Sequence, residues 1–264
     1  MIHWFNLNGE DSRDYGLYIT SKTAYDKPER DISVISVAGR SGDLIVDNGR
    51  YRNLEINLGL RLVVDNYGEP DNVAFYRCYD RVAAWLSQSA AYSKYYDSYN
   101  PEYFRLASIK SSIKLKQRFK DIADFTLTLT CKPYKYTFDG ENIKSVYPLN
   151  TGSSFTIENP ESEISLPIIR VYTNVEYDAS ANPPVEHTIG IRSASSGTMK
   201  TFTITQISQS CTIDSEMMNV YHGTINKNGN YLNDTFPVLY PGVNTIYAVN
   251  NVSRLDITPR WRTI

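Results

Sequence analysis

Residues 50–64 read RYRNLEINLGLRLVV. Leu54, Ile56, Leu58, Leu60 and Leu62 fall at every second position, with polar or small residues between them. Successive side chains of a strand point to opposite faces, so this spacing predicts one long strand with a single buried face. Residues 123–132, ADFTLTLTCK, carry the same signature, with Phe125, Leu127, Leu129 and Cys131 on one side and threonines on the other. Two such strands argue for a mainly β chain, and the segments around them fill in the plan.

Upstream, residues 30–37 set Ile32, Val34 and Ile35 among Asp31, Ser33 and Ser36, a further strand pattern. Between it and the long strand lies AGRSGDL, residues 38–44, a loop punctuated by Gly39 and Gly42. The chain opens with a short strand, an Asn8-Gly9 turn and a second strand beginning at Gly16-Leu17-Tyr18-Ile19. Downstream, Phe75, Cys78, Tyr79, Val82, Trp85 and Leu86 recur at helical spacing, with Arg77, Asp80 and Arg81 between them. Asp71 or Asn72 is placed to cap this helix, which should end within residues 87–90. Residues 103–109 and 113–115 read as strands.

Ordered signals then thin out over residues 134–150, around Gly140 and Pro148. A domain boundary is expected there, with residues 1–138 in a first domain and 139–264 in a second. The second carries short β runs at residues 154–158, 168–173, 188–192, 200–207, 210–214, 224–225, 243–249 and 255–260. Asn182-Pro183-Pro184, Ser196-Gly197, Lys227-Asn228-Gly229-Asn230 and Pro241-Gly242 punctuate them. Short strands at this spacing, with almost no helical periodicity, predict a β-sandwich or jelly roll.

Composition narrows the function classes. A chain of 264 residues is comfortable for two domains. A formal net charge of −2 argues against a general phosphate-binding surface, which needs clustered Lys and Arg. The 21 tyrosines, against 9 phenylalanines, suit half-buried strand faces and equally a large contact surface. Cys78, Cys131 and Cys211 lie far apart, with neither metal-ligand nor redox spacing, and read as buried or free thiols in a reducing compartment. The N-terminus lacks a basic stretch followed by an apolar one, and no apolar run reaches membrane-spanning length. Folding in a cytoplasm is expected.

Catalytic constellations are hard to find. The histidines are His3, His187 and His222, and no nucleophile elbow or zinc-type pair accompanies them. Gly39-Arg40-Ser41-Gly42 lacks the Lys of a phosphate loop, adds Asp43, and is followed by a strand rather than a helix. It reads as a turn with positive-φ glycines. Asp11/Asp14 and Glu161/Glu163 sit in polar loops as solvated carboxylates, and residues 65–69, DNYGE, lack the ligand series of a calcium loop. His187 and Arg192 share a run in the sandwich half, but the Asn expected between them in a galectin-type sugar site is absent. Trp261 is the one tryptophan after residue 135.

Several stretches, taken in order, resemble the distal tail protein family of long-tailed phages and prophages. They are Phe5-Asn6-Leu7-Asn8-Gly9 with Ser12 and Asp14-Tyr15-Gly16-Leu17, then VAGRSGDL at 37–44, then the helix ending in Trp85-Leu86. NPEYFRLA at 100–107, FTLTLTCKP at 125–133, Phe236-Pro237, Leu239 with Pro241-Gly242 and Asn244, and finally PRWR at 259–262 continue the match. The resemblance implies a belt domain of β-strands plus one α-helix over 1–138 and a galectin-like β-sandwich over 139–264. It implies a homo-hexamer, single or stacked as a dimer of hexamers, joining the tail tube protein to the tail-associated tip or baseplate protein. DNA would pass through the ring in transit, and no enzyme activity, cofactor, metal or membrane partner is implied. The place would be the virion tail tip, assembled in the host cytoplasm.

A ring requires two different patches per protomer. Arg40, Ser41, Asp43 and Leu44 in the loop, with Arg77 and Arg81 on the exposed side of the helix, are the candidate subunit-interface residues. Arg40 and Asp43 would pair either with a neighbouring subunit or within their own chain. The alternative function is a lectin-like host-surface adhesion module using the C-terminal sandwich.

Overall fold

The computed structural model describes residues 2–23, 27–65, 71–110, 116–119, 121–175, 178, 180–181 and 183–264. The expected strand at 113–115, nearly all of the DNYGE segment, Asn182, and the side chains of Asp71 and Asn72 lie outside the described residues. The chain forms two compact units, Met1–Lys135 with Ile264, and Tyr136–Thr263. It is mainly β, with several antiparallel sheets.

In the first unit β1 (Phe5–Leu7) and β2 (Glu10–Asp11) form a hairpin. Asn8 and Gly9 both take positive φ, 55° and 88°, the primed turn that matches strand twist and that an Asn-Gly pair favours. Then come β3 (Leu17–Lys22), the pair β4 (Arg30–Ile35) and β5 (Leu44–Tyr51), β6 (Leu54–Val63) and helix α1 (Asp71–Leu86). They are followed by β7 (Ser93–Asp97), β8 (Tyr103–Ile109), β9 (Lys116–Gln117) and β10 (Ile122–Thr137), whose last two residues fall in the second unit.

The main sheet runs β2-β1-β7-β8-β10-β6-β3. It curls back on itself: Ile19 of β3 bridges to His3, just ahead of β1, its N–H donating to the His3 carbonyl at 2.9 Å. The alternation in β6 does what its spacing predicts. Leu58, Leu60 and Leu62 are fully buried, and opposite them on β10 lie Leu127, Phe125 and Ala123. Helix α1 adds Phe75, Val82, Trp85 and Leu86 to the same core, where Trp85 stacks between Phe5 and Tyr15.

The long strand expected over 50–64 is two strands. Arg50 and Tyr51 end β5, and the chain breaks at Arg52-Asn53 before β6 begins. The break has a physical cause: the Arg52 N–H donates to the Glu29 carbonyl, and the side chains of Arg50 and Arg52 both hold Asp31. These bonds divert the strand into a hairpin with β4. β7 was not legible in the sequence either, because its inward positions are Tyr95 and Asp97, and a buried carboxylate does not look like a core residue.

The second unit comprises β11 (Lys144–Val146), β12 (Ser154–Asn159), β13 (Ile168–Tyr172), β14 (Glu186–Ser193), β15 (Met199–Thr205) and β16 (Ser210–Asp214). β17 (Asn219–His222), β18 (Ile225–Asn226), β19 (Gly242–Asn250), β20 (Arg254–Thr258) and β21 (Arg262–Thr263) complete it. One sheet is ordered β11-β20-β13-β16-β17-β18 and the other β12-β19-β14-β15. Ile169, Ile213 and Leu255 of the first sheet and Ile189, Phe202 and Ile246 of the second enter a single apolar cluster, so the unit is a two-sheet sandwich. The run read as a strand to residue 260 stops at Thr258, because Pro259 has no N–H for the ladder and Arg260 takes φ 56°.

The PRWR segment closes this sandwich. Trp261 is buried, Arg260 makes a fork of bonds to the buried Asp214 at 2.7 and 3.1 Å, and Arg262 donates to the Ile164 carbonyl at 2.7 Å. Thr137 donates its N–H to the Trp261 carbonyl, and Gly140 lies so close to the Trp261 backbone that no Cβ fits there.

Candidate assembly surface

β4 and β5 form a two-stranded sheet of their own. Val34 pairs with Ile45, Ile35 with Leu44, Ser33 with Val46 and Ile32 with Asp47. Directly opposed residues share a face, so Ile32, Val34 and Ile45 crowd one side and Ile35, Leu44 and Val46 the other. Neither side is covered: Val34 is 58 % exposed, Ile45 65 % and Ile35 46 %. Two strands alone are marginal in water, and contiguous exposed apolar surface marks contact with another molecule.

Polar groups fix the ribbon at its base. Asp31 is buried and accepts from Arg50 Nε at 2.7 Å and from Arg52 Nε and Nη2 at 3.1 Å. Those bonds, Arg50 first, hold the Asp31 carboxyl below its usual pKa. Arg30 pairs with Asp47 at 2.9 Å and lies over the Tyr51 ring. At the tip Gly39 and Gly42 take φ 78° and 86°, the turn expected for the loop, and Arg40 N–H donates to the Val37 carbonyl.

Arg40, Ser41, Asp43 and Leu44 therefore sit together at the ribbon tip, all exposed. The side chains of Arg40 and Asp43 make no ion pair with each other or with any described residue. Arg77 and Arg81 lie apart from them on α1, both exposed. Arg81 is bound within its own unit, donating Nη2 to the Asp14 carbonyl at 2.6 Å and stacking over Tyr15 at 5.0 Å.

Of the ribbon's apolar residues, the sequence reading singled out Leu44 alone as a contact candidate. A signal was there: Val34-Ile35 and Leu44-Ile45-Val46 are consecutive apolar residues, and consecutive residues on a strand point to both faces.

Cys131, Cys211 and His187, of types that carry chemistry elsewhere, are buried here. Burial pushes the Cys131 thiol up to about 12 and the Cys211 thiol up to about 11, which keeps both protonated and poorly nucleophilic. His187 is buried with Nδ1 at 3.0 Å from the Asn251 carbonyl, so it is withdrawn from any sugar on the surface. Among the described residues no cluster of His, Cys, Asp and Glu is arranged to hold a metal ion. No described helix is long and apolar enough to cross a membrane.

Against solved structures the chain aligns over its full length with the whole of the SPP1 Dit protein, at TM-score 0.70 and 12 % sequence identity. The chain has a Dit-like fold. SPP1 Dit is described as a paradigm of the hub adsorption apparatus in phages that infect Gram-positive bacteria. No family model and no curated protein matches the sequence. The alignment with SPP1 Dit spans both units.

Proposed function

We propose that this chain is the hub subunit of a long-tailed phage tail tip. Six copies close into a ring through the first unit, single or stacked in pairs. The ring joins the tail tube protein to the tail-associated tip or baseplate protein, and DNA passes through its centre. The sandwich is galectin-like in this reading.

The observation that carries the assembly is the ribbon. With apolar residues exposed on both of its faces it needs two coverings, and a ring supplies them, since each protomer meets one neighbour on either side. A two-fold dimer would cover one patch with its own copy and leave the other in water. Arg40 and Asp43 at the tip then find partners on the neighbouring copy or on the tail tube. The Dit-like fold over the whole chain supports the same role.

The test is the absolute mass of the purified chain by light scattering over a range of concentration and salt. A mass of six protomers, or of twelve, is expected, alone or once tail tube protein is added as a template. A strict monomer under both conditions would overturn the hub.

A further inference from the structure

One end of the curled sheet in the first unit is open. The last residues of β3, the first of β6, the last of β7, the first of β8 and Lys135 of β10 surround a cavity of about 180 Å³. That is the scale of the engineered cavity of about 150 Å³ that takes benzene. Barrel mouths are common ligand sites.

Tyrosines form much of its wall, and its charged lining is Asp97, buried, Lys22, Arg105 and Lys135, half-buried, and Glu55, exposed at the rim. Tyr95, Tyr96, Tyr99 and Tyr103 line it. Asp97 is 2 % exposed and fully engaged: Lys22 Nζ and the Tyr95 hydroxyl each lie 2.5 Å from Oδ2, and the Tyr99 N–H donates to Oδ1 at 3.0 Å. Lys22 is thereby neutralised.

Arg105 is the exception. Arg105 lines the cavity, and among the described residues its guanidinium makes one hydrogen bond, from Nη1 to the Pro133 carbonyl at 2.7 Å. It has no carboxylate within ion-pair distance among the described residues. Burial lowers its pKa from the ordinary guanidinium value, which records how far it is withdrawn from water. A guanidinium offers five N–H donors, and a planar fork of them fits a carboxylate with two parallel bonds. A cation held half out of water beside aromatic walls, with most of its donors uncommitted, is arranged for an anion that brings its own apolar body.

We infer that this cavity binds a carboxylate carried on a flat apolar group about the size of one aromatic side chain, with Arg105 gripping the carboxylate and the tyrosines enclosing the body. Two sources share that chemistry, a free aromatic acid and the terminal residue of another protein chain. The site lies apart from the β4–β5 ribbon and does not depend on the ring.

The test uses the full chain with three probes: phenylacetate for a free acid, N-acetyl-phenylalanine for a chain end, and N-acetyl-phenylalanine amide as the uncharged control. Binding is followed by titration calorimetry and by the thermal midpoint, which should rise by about 5 °C at ligand a hundredfold above its dissociation constant. Response to both acids supports the site. Response to phenylacetate alone assigns it to a free acid, and response to N-acetyl-phenylalanine alone to a chain end. The amide should bind at least tenfold more weakly, and Arg105→Lys, which keeps the charge but loses the fork, should weaken the acids by a similar factor. No response to either acid, or equal binding of acid and amide, would overturn the inference. The acid–amide contrast is read on the unmodified protein, so it stands even if the variant folds poorly.

Discussion

β6 and the β4–β5 ribbon are written in the same residues and meet opposite fates. β6 alternates Leu and Ile with polar residues, and every apolar side chain from Leu54 to Leu62 is buried. The ribbon is as rich in Ile, Val and Leu, yet of its residues only Asp31 is buried. The difference lies in the period. Strict alternation gives one apolar face, which a single core can cover; Leu44-Ile45-Val46 gives two, and the unit has core to spare for neither. A strand that alternates is complete within its own chain, while one that is apolar on both sides is a request for other chains.

The largest effect should come from breaking the covered side. Leu60 is fully buried opposite Phe125, so Leu60→Ala should cost about 2–5 kcal/mol through lost burial and the cavity left behind. Denaturant unfolding of the variant against the parent measures it. A cost below about 1 kcal/mol would mean that β6 is no better covered than the ribbon.

Gly16 sharpens the same point from the backbone. It takes φ 66° next to β3, and a Cβ there would run into the Val63 carbonyl oxygen at the end of β6. Gly16→Ala should therefore destabilise by on the order of 1–3 kcal/mol, read from the same unfolding curves. Gly39 and Gly42 at the ribbon tip also have positive φ, but a Cβ there meets nothing, so alanine there should cost less than at Gly16. The gap between the two positions separates strain alone from strain plus collision.

How much of this was legible in the sequence depends on the same distinction. The alternation of β6 and β10, the helix register from Phe75 to Leu86 and the Asn8-Gly9 turn are local patterns, and each maps onto an element in place. The split between β5 and β6 was not legible, because its cause is Asp31, nineteen residues before Arg50 and caught between two arginines. The cavity was invisible for the same reason: Lys22, Asp97 and Arg105 are 75 and more residues apart or on separate strands, and only the curl of the sheet gathers them. The tip residues Arg40 and Asp43 were found from their oddity as a charged pair in a small loop; of the apolar ribbon behind them, which makes the stronger argument, residues 30–37 were read as an ordinary strand and most of β5 was not read at all.

His187 extends the comparison to a polar residue in a covered position. It is buried on β14 of the sandwich, and burial lowers its pKa from the ordinary histidine value. The folded protein then binds fewer protons than the unfolded chain, so stability is fully present above about pH 6.5 and falls as pH drops through the lowered value. The thermal midpoint should therefore decline on the acid side of pH 6.5, and His187→Gln should flatten that decline. An unchanged slope would assign it to other groups.

The smallest effect on unfolding is expected where the proposal of an assembly is most exposed. Val34 and Ile45 are cross-strand partners in water in the single protomer, so replacing both by serine should change the unfolding free energy, read at dilutions where the parent is monomeric, by no more than about 0.5 kcal/mol. The same pair should lower the mass seen in light scattering toward a single protomer, because the ribbon has lost what made covering it worthwhile. These two readouts pull the ribbon and β6 apart: in β6 a lost methyl group is felt by the chain itself, whereas in the ribbon it is felt by the next chain. If the double variant unfolded much more easily while the assembly kept its mass, the ribbon would be covered from within, and the exposed surface would have no bearing on a ring.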